Sequence, residues 1–227
     1  MPALAWSEGS DGKEKESSED QSGKISYMLG WRMAAELENL PLKLDSKALV
    51  QAIQDRLEKH KPKYDQAEMD KVRSAMMATF QKEKTRQLEE LGAKNRSAGQ
   101  AFLAENAKKP GVVTTASGLQ YQVIREGKGD KPKLTDQVKV HYSGTLLDGT
   151  EFDSSVKRGQ PATFPLDKVI PGWTEGLQLM QPGGKYKLFV PSELAYGNSG
   201  AGGKIGPDAT LVFEVELLEV HSGKDAS

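Results

Sequence analysis

The second half of the chain predicts an α+β fold, an antiparallel sheet wrapped on one short helix, and the first half predicts an all-α domain ending in one long helix. Three observations carry this. From residue 24 to 107 the only glycines are Gly30, Gly92 and Gly99, whereas residues 111–222 are rich in Gly, Pro and β-branched side chains; such a shift in composition separates two domains. No proline interrupts residues 66–108. Several later segments alternate apolar and polar residues with the period of two that a half-buried strand needs.

Residues 7–22 hold no apolar side chain and cannot offset their ordering entropy by burial, so residues 1–22 are expected to be a disordered tail. Within it, Ala3-Leu4-Ala5 has the small-x-small form of a signal-peptidase site, although no hydrophobic core precedes it. Either a flexible start or a chain trimmed near a cleavage site fits. Residues 23–107 read as the helical domain. Ile25, Met28, Leu29, Met33, Leu37 and Leu40 form an apolar stripe that ends before Pro41. Asp45 can cap a second helix bearing Leu49, Ala52, Ile53 and Leu57 on one face, with Pro62 as its stop. Asp65 and Glu68 then have the spacing of a capping box.

The helix that follows, about 66–108, would be roughly 60 Å long at 1.5 Å per residue, longer than a small domain is wide. Its apolar positions are dense early (Met69, Val72, Met76, Phe80) and sparse later (Leu88, Leu91, Phe102), so its first half is expected to pack and its second half to be mostly solvated. Two short helices and half a long one bury little surface alone. Dimerisation through the N-terminal helices is the expected remedy. Five of the seven methionines (Met28, Met33, Met69, Met76, Met77) lie here; these adaptable side chains suit a dimer core, or a groove for unfolded chains.

Residues 108–113, with Pro110 and Gly111, read as a linker, and residues 114–222 as the sheet domain. Residues 119–124, 137–146, 185–190 and 210–218 are its strands; in the second, Val138, Val140 and Tyr142 share a face. A tight turn at Asp148-Gly149 leads to a short strand ending in Phe152-Asp153. Pro171 pre-sets the first turn of the single helix, whose Trp173, Leu177 and Met180 form one stripe. Between helix and sheet, Tyr142, Phe152, Asp153, Val169, Ile170, Trp173, Tyr196 and Phe213 would line a deep apolar pocket with a single carboxylate and no positioned nucleophile.

Composition excludes several function classes. A net charge of −1 with interspersed Lys and Glu presents no basic face to nucleic acid. With no cysteine there is no disulfide and no thiolate, and three histidines (His60, His141, His221) make no histidine-rich metal site. No cofactor or metal is therefore expected. No run approaches the ~18 apolar residues of a transmembrane helix.

Four motifs in order, residues 141–155, 169–176 (Val-Ile-Pro-Gly-Trp-Thr-Glu-Gly), 193–197 (Glu-Leu-Ala-Tyr-Gly) and 209–218 (Ala-Thr-Leu-Val-Phe-Glu-Val-Glu-Leu-Leu), resemble the FKBP-type peptidyl-prolyl cis-trans isomerases. The helical region is similar to the dimerisation domain of the bacterial Mip and FkpA group, so the resemblance covers the chain except its first 22 residues. It implies an FKBP-like domain behind a dimerisation and chaperone domain. It also implies a proline pocket of Tyr142, Phe152, Asp153, Val169, Ile170, Trp173, Tyr196, Ile205 and Phe213, with Trp173 as floor and Asp153, Tyr196, Ile170 and Tyr142 in catalytic roles. Partners implied are proline-containing unfolded polypeptides, macrolide inhibitors in the same pocket, and a second copy of the chain. The implied location is periplasmic, exported or outer-membrane associated, with the cytoplasm as the alternative. The sequence departs from the best-known pattern at Ala162, Ala201 and Lys204, where an aromatic, a His and an aliphatic are common.

The residue types suit that chemistry. Rotation of an X-Pro amide breaks resonance against a barrier of ~18–20 kcal/mol. A dry apolar pocket disfavours the polar planar amide more than the twisted one. Competing readings are weaker. His141, Asp153 and Ser154 or Ser155 could suggest a hydrolytic triad, but His141 has the opposite strand parity to Tyr142. Residues 200–204 (Gly-Ala-Gly-Gly-Lys) lack the strand-to-helix context of a phosphate loop and read as a rim loop. A holdase, or a binding module in which isomerisation is secondary, remains the alternative function.

Overall fold

The computed structural model describes residues 11–222, with side-chain surroundings from residue 20 onward. The chain divides into two compact units, Met1–Glu83 and Lys84–Ser227.

The first unit contains helices α1 (Asp11–Glu38), α2 (Ser46–Leu57) and the start of α3 (Gln66–Asn106). Helix α1 begins well before residue 24, inside the stretch expected to be disordered; the first ten residues of that stretch lie outside the described residues. Glu, Lys and Gln are good helix formers, and the Lys24 ammonium pairs with the Asp20 carboxylate one turn away, so helix there needs no burial. Both predicted caps form. Asp45 Oδ1 accepts from the N–H groups of Lys47 (2.9 Å) and Ala48 (3.1 Å). Asp65 and Glu68 exchange side-chain to backbone hydrogen bonds of 2.8 and 3.2 Å. Helix α2 closes before Pro62, through Lys59 in the left-handed region (φ 62°).

In the second unit strands β1 (Val112–Thr114), β2 (Gln120–Arg125), β3 (Gln137–Thr145), β4 (Glu151–Ser154), β5 (Ala162–Pro165), β6 (Lys185–Val190) and β7 (Leu211–His221) form one antiparallel sheet. Its order is β1-β2-β6-β7-β3-β4, with β5 also on β3. Strand β3 alternates buried and half-buried positions along its whole length. Helix α4 (Pro171–Leu179) lies on the inner face, where Leu177 and Met180 are inaccessible to solvent with Leu188, Val190, Val215 and Leu217. Strands β1 and β5, of three and four residues, are too short to show a period and were not predicted.

The second half of α3 belongs to this unit and is less solvated than its sparse apolar residues suggest. Gly92, Gly99 and Asn106, spaced along one face, are buried. The Phe102 ring meets Phe189 at 5.8 Å, and Asn106 Nδ2 donates to Gln120 Oε1 (2.9 Å) while Gln120 Nε2 donates to the Leu103 carbonyl (2.8 Å). The glycines that dilute the hydrophobic pattern are the places where the helix backbone comes close to the sheet domain.

Candidate active site

Strand parity delivers the pocket walls. Tyr142 on β3 points inward from between Val140 and Gly144, and Phe213 on β7 lies opposite Gly144 in the register. Asp153 on β4 also opposes Gly144. A Cβ at Gly144 would sit 2.6 Å from Phe152 Cζ and 2.9 Å from Phe213 Cε1, so the absent side chain makes room for both rings. Gly144→Ala should therefore displace these rings and lower kcat/KM for a proline peptide about tenfold, the ~1–3 kcal/mol typical of overpacking being enough. Turnover equal to wild type would show that the rings can shift at no expense.

Helix α4 brings the floor. Ile170 is its N-cap, with its carbonyl accepting from the N–H groups of Trp173 (2.9 Å) and Thr174 (3.0 Å). The N–H of Ile170 lies outside the helical ladder, as an N-cap amide does. Thr174 Oγ1 donates to the Leu166 carbonyl (2.8 Å), fixing the entry segment that carries Val169. Trp173 is 5% exposed and meets Tyr142 (5.0 Å), Phe213 (5.2 Å) and Phe164 (5.7 Å) edge to face, the orientation aromatic quadrupoles prefer. Phe152 meets Phe213 in the same way at 5.5 Å.

These side chains enclose a cavity of about 710 Å³, and all nine residues expected to line the pocket do so. Ile205 is buried beside it and Tyr196 is half-exposed on the rim. Five further lining residues escaped the sequence reading as pocket members: Phe164, Lys168, Ala201, Gly202 and Lys204. Phe164 sits on the four-residue β5, where no alternation could reveal its face. Ala201 and Lys204, two of the departures from the best-known family pattern, line the cavity at its rim.

The carboxylate is not alone. Tyr142 donates its hydroxyl hydrogen to Asp153 Oδ2 (2.5 Å). Arg158 Nη1 donates to Asp153 Oδ1, its Nη2 to the Tyr142 hydroxyl (3.0 Å), and the guanidinium lies 5.6 Å from the Tyr142 ring centre. Burial pushes the Asp153 pKa up, but the hydrogen bonds from Tyr142 and Arg158 and the Arg158 charge outweigh it, so the group lies below its ordinary value. Burial and the Asp153 hydrogen bond hold the Tyr142 phenol above its ordinary value, against the opposing effect of Arg158. Arg158 gave no sequence signal beyond being a cation five residues after Asp153, in a turn without periodicity.

The hydrolytic alternative does not assemble. His141 Nδ1 is 3.1 Å from Ser155 Oγ, and that hydroxyl is engaged with the backbone N–H (2.8 Å) and carbonyl (3.3 Å) of Tyr142. Asp153 is bound to Tyr142 and Arg158 instead, and Ser154 Oγ accepts from the Lys157 N–H (3.2 Å). Among the described residues no group of three or more His, Asp and Glu could hold a metal ion.

Comparison with known proteins agrees with this geometry. Residues 128–218 match the family "FKBP-type peptidyl-prolyl cis-trans isomerase", and residues 22–123 match the "domain amino terminal to FKBP-type peptidyl-prolyl isomerase". The chain is 50% identical over 212 residues to the FKBP-type peptidyl-prolyl cis-trans isomerase FkpA of Aeromonas hydrophila, covering 92% of this chain and 78% of that protein. It is 40% identical over 197 residues to the outer membrane protein MIP of Legionella longbeachae, covering 87% and 84%. The crystal structure of FkpA from Escherichia coli superposes with a TM-score of 0.75 at 40% identity, covering 95% of this chain and all of that one. A pocket floored by tryptophan, the two-part chain and this level of identity lead to one conclusion: the chain belongs to the FKBP-type peptidyl-prolyl cis-trans isomerases and catalyses rotation about X-Pro peptide bonds.

Proposed function

We propose that the proline ring of an unfolded or partly folded polypeptide enters the cavity above Trp173, and that the Ile170 N–H and the Tyr196 hydroxyl hold the carbonyl of the X-Pro bond. The observation that carries this is the nearly buried Trp173 indole in the cavity wall, met at near right angles by the rings of Tyr142, Phe213 and Phe164, which makes an apolar floor for a proline ring. Desolvation removes water from the carbonyl and so destabilises the charge-separated planar amide, while the twisted amide loses little. Asp153, anchored by Arg158 and Tyr142, faces the twisting bond with a fixed negative charge. No proton is transferred. Macrolide inhibitors would occupy the same cavity.

The helical unit adds a second activity in this reading: it pairs with a second copy and holds client chains. Its apolar surface supports this, because in the single chain Trp31 is 68% and Leu57 77% exposed, with Tyr27, Val72 and Met77 also open to solvent; such patches mark interfaces. The full chain should elute with twice the chain mass, and Trp31→Glu with Leu57→Glu should halve it; a wild-type monomer at micromolar concentration would refute pairing. We place the protein in the periplasm or at the outer membrane, in keeping with the name of the Legionella relative. Among the described residues no helix is long and apolar enough to cross a membrane.

A proline-limited refolding assay tests the whole reading. The full chain and residues 84–227 should act alike on a short X-Pro peptide, and the truncated chain should lose about tenfold or more on a protein substrate, the gain expected from tethered capture. Equal rates on both substrates would remove the client-holding role. Aggregation suppression by residues 1–108 alone, at full strength, would instead favour a holdase in which isomerisation is secondary.

A further inference from the structure

We propose that the second half of α3 is a positioning strut for the pocket rim, so that Asn95 and Arg96 tune catalysis without touching substrate. This rests on the pocket reading above. The segment from residue 196 to 210 carries Tyr196, Lys204 and Ile205 on its cavity side. It has little regular structure of its own: Gly197, Gly200, Gly202 and Gly203 all have positive φ, and Ala201 and Ile205 exchange one pair of backbone hydrogen bonds (2.9 and 3.0 Å). Four such glycines give the unfolded segment wide conformational freedom, which something outside it has to offset.

Helix α3 holds its back. Asn95 Nδ2 donates to the Pro207 carbonyl (2.8 Å), and Arg96 Nη2 donates to Asp208 Oδ2 (2.7 Å). Asp208 is 9% exposed and sits in the left-handed region (φ 53°), with its own N–H donating to the Gly197 carbonyl (2.8 Å), next to Tyr196. One chain of bonds therefore runs from α3 through Asp208 to the residue beside the rim tyrosine. The approach is close along the whole seat. A Cβ on Gly92 would lie 2.9 Å from Asp208 Oδ2, one on Gly99 2.2 Å from Thr210 Oγ1, and one on Gly206 3.1 Å from Leu91 Cδ2.

An exposed ion pair stabilises little, but removing Arg96 leaves the nearly buried Asp208 carboxylate without its cation. The left-handed backbone at Asp208 then loses its brace, and the strain relaxes into the segment that carries Tyr196 and Ile205. A rim that wanders weakens substrate and transition state together, so the effect appears in KM more than in kcat.

The test uses the full chain with Asn95→Ala/Arg96→Ala, with Arg96→Lys as the conservative variant and Asp153→Leu as reference. The double variant is expected to raise KM for an X-Pro peptide about three- to tenfold with kcat within about twofold. Amide exchange at Ala201 and Ile205 should accelerate about tenfold while Val140 and Leu188 stay protected, and Arg96→Lys should remain within about twofold of wild type in both readouts. An unchanged KM, or exchange that accelerates equally at all four amides, overturns the strut. Loss in Asp153→Leu but not in the double variant rejects the strut and keeps the pocket; loss in neither rejects the pocket reading itself.

Discussion

Trp173→Ala should destabilise the sheet unit by about 3–5 kcal/mol, the range for deleting a buried large aromatic side chain, and abolish measurable isomerase activity. The position carries more than area. Three rings meet the indole edge to face, and each such pair adds about 0.5–1.5 kcal/mol beyond burial. Domains have only about 5–15 kcal/mol in hand, so a loss of this size takes a large share of the stability and lowers the melting temperature by roughly 10–20 °C. Because the chain contains two units, exchange of β3 and β7 amides under increasing denaturant reports the relevant transition better than a global signal. Trp173→Phe keeps an apolar floor and should restore most of the stability with only part of the activity. A loss under about 1 kcal/mol in Trp173→Ala would show that the floor is not the keystone of the packing.

Asp153→Leu has the opposite signature, a loss of rate with little loss of fold. Its side chain is 44% exposed, so the stabilisation it gives the twisted amide is set near the lower end of the ~1.5–3 kcal/mol for hydrogen bonds to charged groups, about tenfold in kcat/KM. Unchanged turnover would remove Asp153 from the reaction. The pH dependence follows from the same trio. Asp153 titrates below its ordinary carboxylate value, so its contribution is present above the unfolded pKa and lost only as pH falls through the lower folded one. Tyr142 titrates above its ordinary value, so its contribution is present below the unfolded pKa and lost only as pH rises through the higher folded one. kcat/KM should therefore be flat from about pH 5 to about pH 9. An inflection inside that window would point to a titrating acid or base.

Much of this architecture was legible because its signals are local. Asp45 and the Asp65/Glu68 pair announce helix starts by chemistry that acts within one turn. The parity of Val138, Val140 and Tyr142 places the tyrosine inside, and Asp148-Gly149 marks the hairpin, with Gly149 at φ 86° and Thr150 N–H bonded to Asp148 Oδ1 (2.9 Å). What stayed hidden depends on distant partners. Arg158 meets Asp153 and Tyr142 through a turn whose path no pattern encodes. Phe164 needs the β3–β5 register to reach Trp173. Gly92 and Gly99 carry no signal within an unbroken helix; their close approach to Asp208 and Thr210, more than a hundred residues away, depends on the tertiary fold. The early start of α1 shows the converse limit: good helix formers can hold a helix without the apolar stripe by which helices are recognised.

The most direct test of proline rotation in a water-excluding pocket is exchange spectroscopy of an X-Pro peptide with catalytic amounts of the full chain, in light and in heavy water. The uncatalysed bond interconverts over about 10–100 s. The expected result is cis–trans exchange within about a second, with a solvent isotope effect near unity, and its disappearance in Trp173→Ala. Exchange that stays at the uncatalysed rate, or catalysis slowed about twofold or more in heavy water, would contradict it.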